Sequence, residues 1–401
     1  MTQPSQPSQP SSDDPFVDHR SMGVGGPDPA NLTEAPTGQV GSADRSHLGH
    51  LGTSAVGAEE LLRVENLSVD FPTDDGVVHA VRGVSYSLRS GEVLGIVGES
   101  GSGKSVSSMA VMGLLPRSAR INGNISFRGE SVLDMPPAVQ RSLRGRKIAM
   151  IFQDPMTAMN PVHTVGDQLV EAVLSHELMP KRKAMARAEE ALAMVGIPQP
   201  KQRLRNYPHE FSGGMRQRAM IAMAIINDPD VIIADEPTTA LDVTVQAQIL
   251  EKLVEVKDTI GAAIVLITHD LGVVAGMTHR VLVMYAGRAV EIGETDDIFY
   301  RTRMPYTAGL LGSIPSLDSE SDGRLRPIHG SPPSLINLPS GCPFSPRCPL
   351  ATDLCRQEEP DLLATDVMGH IAACHHWQRL AEADDPTAFF RATHSGSEVS
   401  Q

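Results

Sequence analysis

Basic residues are in short supply: the 401-residue chain has 34 Lys plus Arg against 48 Asp plus Glu, a net charge of −14. That balance argues against a protein whose main partner is nucleic acid, because phosphate backbones are held by clustered Lys and Arg. Long apolar runs are missing too. No segment approaches the roughly 18 uninterrupted apolar residues of a membrane span. The apolar stretch 262–285 is broken by His269, Asp270, His279 and Arg280. The N-terminus lacks the basic start and apolar core of a secretory signal. These absences predict a chain that is cytosolic, or peripheral on the cytosolic side of a membrane. No long heptad array is present. Cysteine is scarce and confined: Cys342, Cys348, Cys355 and Cys374 all lie near the C-terminus. In a reducing compartment such clustering suggests a metal or cofactor before disulfides. The length allows one large or two modest domains.

What is present is organised around one stretch, Gly98, Glu99, Ser100, Gly101, Ser102, Gly103, Lys104 and Ser105. The apolar run 93–97 before it reads as a buried strand, and 105–115 can form a helix. Strand, glycine loop and helix are the context in which this spacing becomes a phosphate site. Glycines let backbone N–H groups converge on a phosphate, and a helix N-terminus adds partial positive charge. Lys104 supplies charge for the β- and γ-phosphates of a nucleotide, and the Ser105 hydroxyl can ligate Mg²⁺.

Residues 1–58 are rich in Gln, Pro, Ser and Gly and poor in large apolar groups, which predicts disorder. Order should begin near Leu61, with strands around 62–71 and 77–88 joined by a hairpin at Asp74-Asp75-Gly76. Phe71, placed at the tip of that hairpin, can stack on a nucleotide base or serve as core. Residues 147–152 read as another buried strand, and 156–227 as a helical block inserted into an α/β core. Its helix 181–195 should stop at Gly196 and Pro198. Ser212-Gly213-Gly214 opens a further helix and is a second potential anion site. Strand 231–235 ends in Asp235 and Glu236. The first acid is placed to hold Mg²⁺, and the second can take a proton from an attacking water. His269, at the end of strand 263–268, can contact the γ-phosphate. Residues 280–285 and 288–292 should form a closing hairpin. After about 385 the composition returns to polar and disordered.

Taken in order, these motifs resemble the ATP-binding subunit of an ABC transporter over about residues 60–310. The P-loop is 98–105, Gln153 corresponds to the Q-loop glutamine, Ser212, Gly213 and Gly214 to the signature, Ala240-Leu241-Asp242 to the D-loop and His269 to the switch histidine. Met215 stands where many members have Gln, with Gln217 following. That form, with Tyr207-Pro208-His209-Glu210-Phe211 before it, is similar to the peptide-importer branch. Asn160-Pro161-Val162 and Asp228-Pro229 agree, as does the tail from Pro332 to Phe344 with Arg347-Cys348. The resemblance implies a P-loop α/β core with an antiparallel β subdomain and a helical subdomain at about 156–228 within 59–315. A Cys-rich extension would follow at 316–385. It further implies head-to-tail dimers with ATP between the P-loop of one cassette and the signature of the other. Gln153 would join Ser105 and Asp235 around Mg²⁺, and Asp242 would act in trans. Glu236 would polarise water. As partners it implies two separate integral-membrane permeases, a second ATP-binding subunit (non-identical or a second copy) and, through the complex, an extracytoplasmic solute-binding protein. The chain would then be a peripheral ATPase on the cytoplasmic face of the cell membrane, driving di- or oligopeptide uptake.

The cysteine spacing matches neither a paired two-residue zinc ribbon nor the bacterial ferredoxin run. Four thiolates can complete a Cys₄ site for [4Fe–4S] or for zinc, or hold no metal. His370, His375 and His376 keep a mixed set open. Resemblance to peptide-importer ATPases that carry an iron–sulfur cluster favours [4Fe–4S], which would staple a loop-rich extension. Other functional readings are an importer of nickel or another small solute, a soluble ABC clamp of translation or repair, and a module that binds ATP without hydrolysing it. An intact Glu236 and His269 weigh against the last.

Overall fold

The computed structural model describes residues 58–238, 242–314 and 328–390. The disorder expected of the first residues therefore lies outside the described residues, as do Ala240 and Leu241 of the D-loop and residues 391–401.

The strands, in chain order, are β1 (Glu60–Thr73), β2 (Gly76–Arg89), β3 (Val93–Val97), β4 (Arg120–Phe127), β5 (Glu130–Ser131), β6 (Ile148–Ile151), β7 (Val231–Asp235), β8 (Ala263–Thr268), β9 (Arg280–Tyr285), β10 (Arg288–Glu294), β11 (Leu363–Ala364) and β12 (Ile371–Ala372). They form a four-stranded antiparallel sheet, β2-β1-β4-β5, and an eight-stranded sheet, β11-β12-β10-β9-β3-β8-β7-β6. β1 and β2 make the expected hairpin, with Thr73 opposite Gly76. Phe71 does not sit at its tip. It lies within β1 opposite Val78, half-buried against the core.

The larger sheet is built as its sequence dictates. β3, β6, β7 and β8 pair in parallel and are buried along their whole length, as sheets covered on both faces must be. Alternate residues serve opposite layers. Ile232 and Ala234 of β7 face a core shared with the helical block, including Leu169, Leu192 and Ile221. Val231 and Ile233 face one shared with the antiparallel sheet, including Leu62, Val84 and Ile125. The inserted block carries helices Val165–Leu174, Lys181–Met194 and Gly213–Ile225. Thr164 caps the first through the Asp167 N–H, and Ser212 caps the last through the Met215 N–H.

The C-terminal extension departs from the expectation of a loop-rich piece held by a metal. β12 adds to the central sheet through β10, with Glu291 opposite Ala372 and Ile292 opposite Ile371. Arg303 forms a two-point ion pair with Asp366 at 2.7 and 2.9 Å. Arg82 and Arg288 both reach Glu359. His370 Nε2 lies 2.9 Å from Glu291 Oε1, and both side chains are fully buried. Of the residues after 385, Pro386–Phe390 forms a 3-10 turn whose Phe390 packs on the Phe344 layer, and the rest of the expected tail lies outside the described residues.

Candidate nucleotide site

The site lies at the C-terminal ends of adjacent parallel strands, where ligands of open α/β sheets collect. β3 runs into the glycine loop and then helix Lys104–Met112. Two glycines there are required by close approach. Gly98 has φ +151° and Gly103 φ +100°, and a Cβ on either would lie 2.2 Å from the Met284 carbonyl or 2.4 Å from the Ala80 carbonyl. The loop is thus pressed onto β9 and β2 from behind, while a Cβ on Gly101 would meet nothing within 4 Å. The N–H groups of a first helical turn have no intrahelical partner, so those of Lys104, Ser105 and Val106 can take phosphate. Ser102 Oγ is buried without a hydrogen-bond partner among the described residues. An open concavity with orphaned donors behind it fits a phosphate chain.

Lys104 is buried, and its ammonium donates to the carbonyls of Gly98 at 2.7 Å and Glu99 at 3.0 Å. Burial pushes its pKa down, while the carboxylates of Glu236, Asp235 and Glu99 pull it back up. The Ser105 hydroxyl donates to Asp235 Oδ1 at 2.9 Å. Asp235 has its pKa raised, first by burial and further by neighbouring Glu236, against the Ser105 hydrogen bond and Lys104, which lower it. A hydroxyl and a desolvated carboxylate side by side are hard oxygen donors that a divalent cation would satisfy. The donor set fits Mg²⁺.

Glu236 follows β7 with φ +46°, a left-handed conformation costly for a non-glycine residue. Its N–H donates to the Ile267 carbonyl on β8 at 2.9 Å. Gln153, just after β6, donates through Nε2 to Glu236 Oε2 at 3.0 Å. His269, just after β8, places Nδ1 3.4 Å from Glu236 Oε1. Four separate segments, 98–105, 153, 235–236 and 269, therefore meet at one place. Ser212, Gly213 and Gly214 do not join them. They head a helix of the inserted block, and among the described residues no hydrogen bond links them to the glycine loop. A Cβ on Gly214 would come within 2.9 Å of Val245, so this turn packs on the helix Val243–Ile260 instead. Asp242 caps that helix, accepting from the Val245 N–H at 3.0 Å.

The residues that the sequence left without a role here come from far along the chain. The Tyr306 hydroxyl accepts the Glu99 N–H at 2.8 Å, and Arg347 holds the Glu99 carboxylate through both terminal nitrogens at 2.6 and 2.8 Å. Their only sequence signal was the Arg347-Cys348 pair of the tail.

The expected iron–sulfur or zinc set is not supported. Cys342, Cys348, Cys355 and Cys374 border one cavity of about 20 Å³, yet among the described residues no three His, Cys, Asp or Glu groups are placed to hold an ion. Cys342, Cys348 and Cys374 pack against the apolar layer around Phe344. Burial raises all three thiols, Cys348 and Cys374 to about 12. The histidines are engaged elsewhere: His370 with Glu291, His375 with the Glu358 carbonyl and His376 with Thr352. Cys342, Cys348 and Cys374, protonated and enclosed, should react slowly with a thiol reagent near neutral pH, and unfolding should release them. Iron and acid-labile sulfide in anaerobically purified protein would contradict this.

Comparison with known proteins agrees with the geometry. The family described as ABC transporter matches residues 81–239, and the oligopeptide/dipeptide transporter C-terminal region matches 290–355. The chain is 51% identical to the oligopeptide transport ATP-binding protein OppD of Salmonella typhimurium, over 79% of this chain and 94% of that protein. It is 54% identical to the dipeptide transport ATP-binding protein DppD of Bacillus subtilis, over 75% and 90%. It is 55% identical to OppD of Mycobacterium tuberculosis, over 78% of this chain but spanning only about half, 51%, of that relative's length. Among solved structures, cbiO1 from Clostridium perfringens superposes with a TM-score of 0.52 at 30% identity, over 60% of this chain and 91% of that one. The cassette MJ0796 in its dimeric form bound to ADP and Pi gives 0.53 at 24%, over 59% and 99%, a likeness of fold.

Proposed function

The chain belongs to the ATP-binding proteins of ABC transporters, in the oligopeptide/dipeptide class, and from that membership we propose that it hydrolyses ATP to power uptake of short peptides through separate permease chains. The observation that carries the reading is the convergence of Lys104, Ser105, Gln153, Asp235, Glu236 and His269 at the ends of adjacent strands. Lys104 and the bare N–H groups of the loop bind phosphate, and Phe71 lies on the strand that would meet the base. Ser105, Asp235 and the Gln153 side-chain amide oxygen would hold Mg²⁺, which when bound would supply charge neutralisation and orientation of the phosphates. Glu236 accepts the proton of the attacking water, and His269, beside it, senses the γ-phosphate. Since Ser212, Gly213 and Gly214 stand apart from this constellation, they complete a site on a second ATPase, and Asp242, which caps the helix this turn packs on, would act with them. Two anion-binding turns in one chain then serve two nucleotides.

Docking to permeases has a surface to use. Leu114, Phe152 and Met156 are exposed, and the first two border a groove of about 330 Å³ lined also by Met150, Met220 and Met223. The groove lies beside Gln153, between the sheet and the helical block, so a permease segment seated there would feel the nucleotide state. No helix among the described residues is long and apolar enough to cross a membrane, which is consistent with permeases on other chains and a peripheral, cytoplasmic-side location. Identity over 94% of the Salmonella oligopeptide relative and 90% of the Bacillus dipeptide relative favours peptide over nickel or a soluble clamp. The test is to tag the chain, purify it from solubilised membranes, identify what travels with it, and measure ATP turnover and labelled-peptide uptake in vesicles. Recovery with two integral-membrane permeases and a second ATPase, with peptide-stimulated turnover, is expected. A nucleic-acid complex, or turnover stimulated by Ni²⁺ uptake and unaffected by peptide, would replace the reading.

A further inference from the structure

Glu99 is the one acidic residue of the glycine loop, and its charge acts on Lys104. A free carboxylate there would compete with nucleotide phosphate for that ammonium and would repel the phosphate chain. The structure binds it elsewhere. Arg347 comes from the extension, at the end of the 3-10 turn Ser345–Arg347, and its side chain is only 4% exposed. All five of its N–H donors have acceptors. Nε donates to the His329 carbonyl at 2.9 Å. One terminal nitrogen donates to Glu99 Oε2 and the Tyr285 hydroxyl, the other to Glu99 Oε1 and the Ile328 carbonyl. The Tyr285 and Phe344 rings lie 5.9 Å from the guanidinium carbon. The fork is therefore fixed before Glu99 is met, and a planar bidentate pair of this kind sets direction as well as charge. Tyr306 fixes the Glu99 main chain from the same side.

Mere attachment of the extension does not need this contact. β12 on β10, Arg303 with Asp366, and Arg82 and Arg288 with Glu359 already hold it. We infer that Arg347 is a positioning residue for the phosphate loop, holding the Glu99 carboxylate away from the Lys104 ammonium so that Lys104 remains available to nucleotide phosphate. The inference rests on the ATP-site reading of 98–105. It makes the extension part of the nucleotide site and not an appendage to it.

The test is a double-mutant cycle on the full chain, read by equilibrium MgATP binding with thermal unfolding recorded alongside. Arg347→Ala should weaken MgATP about tenfold, because it leaves a half-buried carboxylate unpaired beside the phosphates. Arg347→Lys keeps charge but not the fork and should fall between. Arg347→Ala combined with Glu99→Ala should return affinity to within about threefold of wild type, since the harmful charge has gone. A purely structural Arg347 would lower thermal stability in both variants with no recovery of affinity. Wild-type affinity in Arg347→Ala, or a double variant no better than the single, overturns the inference. If Arg347→Ala does not fold, Arg347→Lys with and without Glu99→Ala runs the same cycle. Lys104→Ala is the control: if it binds MgATP as wild type does, the ATP-site reading falls and this inference with it.

Discussion

Replacing Glu236 with Gln should cut ATP turnover of the assembled transporter by about a hundredfold or more while MgATP stays bound. A hundredfold is about 2.7 kcal/mol of transition-state stabilisation, within what a positioned general base supplies. Gln matches Glu in size and keeps an oxygen for the Gln153 Nε2 donor, so the 3.0 Å contact can persist. The backbone bond from residue 236 to the Ile267 carbonyl is untouched, as are Lys104, Ser105 and Asp235. What is lost is the ability to take a proton from water. Binding energy would then be retained without the step that would reopen the proposed dimer, so ATP-bound, closed complexes should accumulate and be visible by size or cross-linking. Unchanged turnover would remove Glu236 from the role of base, and loss of ATP binding would show that its charge serves the ground state.

The left-handed backbone at Glu236 adds a structural argument. A non-glycine residue holds φ +46° only where its surroundings over-determine it. Here the N–H is tied to β8 and the side chain lies between Gln153 and His269. Strain spent at that position aims the carboxylate where the strand ends of β6, β7 and β8 converge.

How much of this could be read beforehand depended on the range of the interactions. β3, β7 and β8 are short, uniformly apolar runs followed by chemistry-bearing residues, so strand and site were legible together at 98–105, 235–236 and 269. The hairpin at Asp74-Asp75-Gly76 was equally local. What escaped were contacts between distant segments. β11 and β12 are two residues each, too short for any period to show, yet they tie the extension to the central sheet. Glu99 and Arg347 are separated by 248 positions, and nothing local marks them as a pair. Phe71 is not at the tip because two residues of strand, Pro72 and Thr73, separate it from the turn. The cysteine spacing suggests a ligand set, but spacing says nothing of where sulfurs point, and Cys342, Cys348 and Cys374 lie in an apolar layer with their histidine neighbours turned to other partners.

Gly213→Asp should leave MgATP binding by the isolated full chain within about twofold of wild type yet stop turnover, by about a hundredfold or more, at the site this turn is proposed to complete on a second ATPase. Residue 213 opens the helix Gly213–Ile225, and Ser212 already caps the Met215 N–H. The remaining first-turn N–H groups and the helix dipole make the turn attractive to an anion. An aspartate there places a carboxylate where a γ-phosphate would approach, exchanging attraction for repulsion. Position 213 is the informative choice over 214, because a Cβ at Gly214 would press on Val245 and disturb packing. The chain's own phosphate loop shares no hydrogen bond with this turn among the described residues, so its nucleotide affinity should not change. Loss of binding in the isolated variant would mean that both turns grip one nucleotide within one chain. Retained turnover in the assembled complex would mean that the Ser212-Gly213-Gly214 turn faces something other than ATP. Either result would break the two-chain site, whereas binding without turnover is the behaviour expected of half an active site that meets its other half only across an interface.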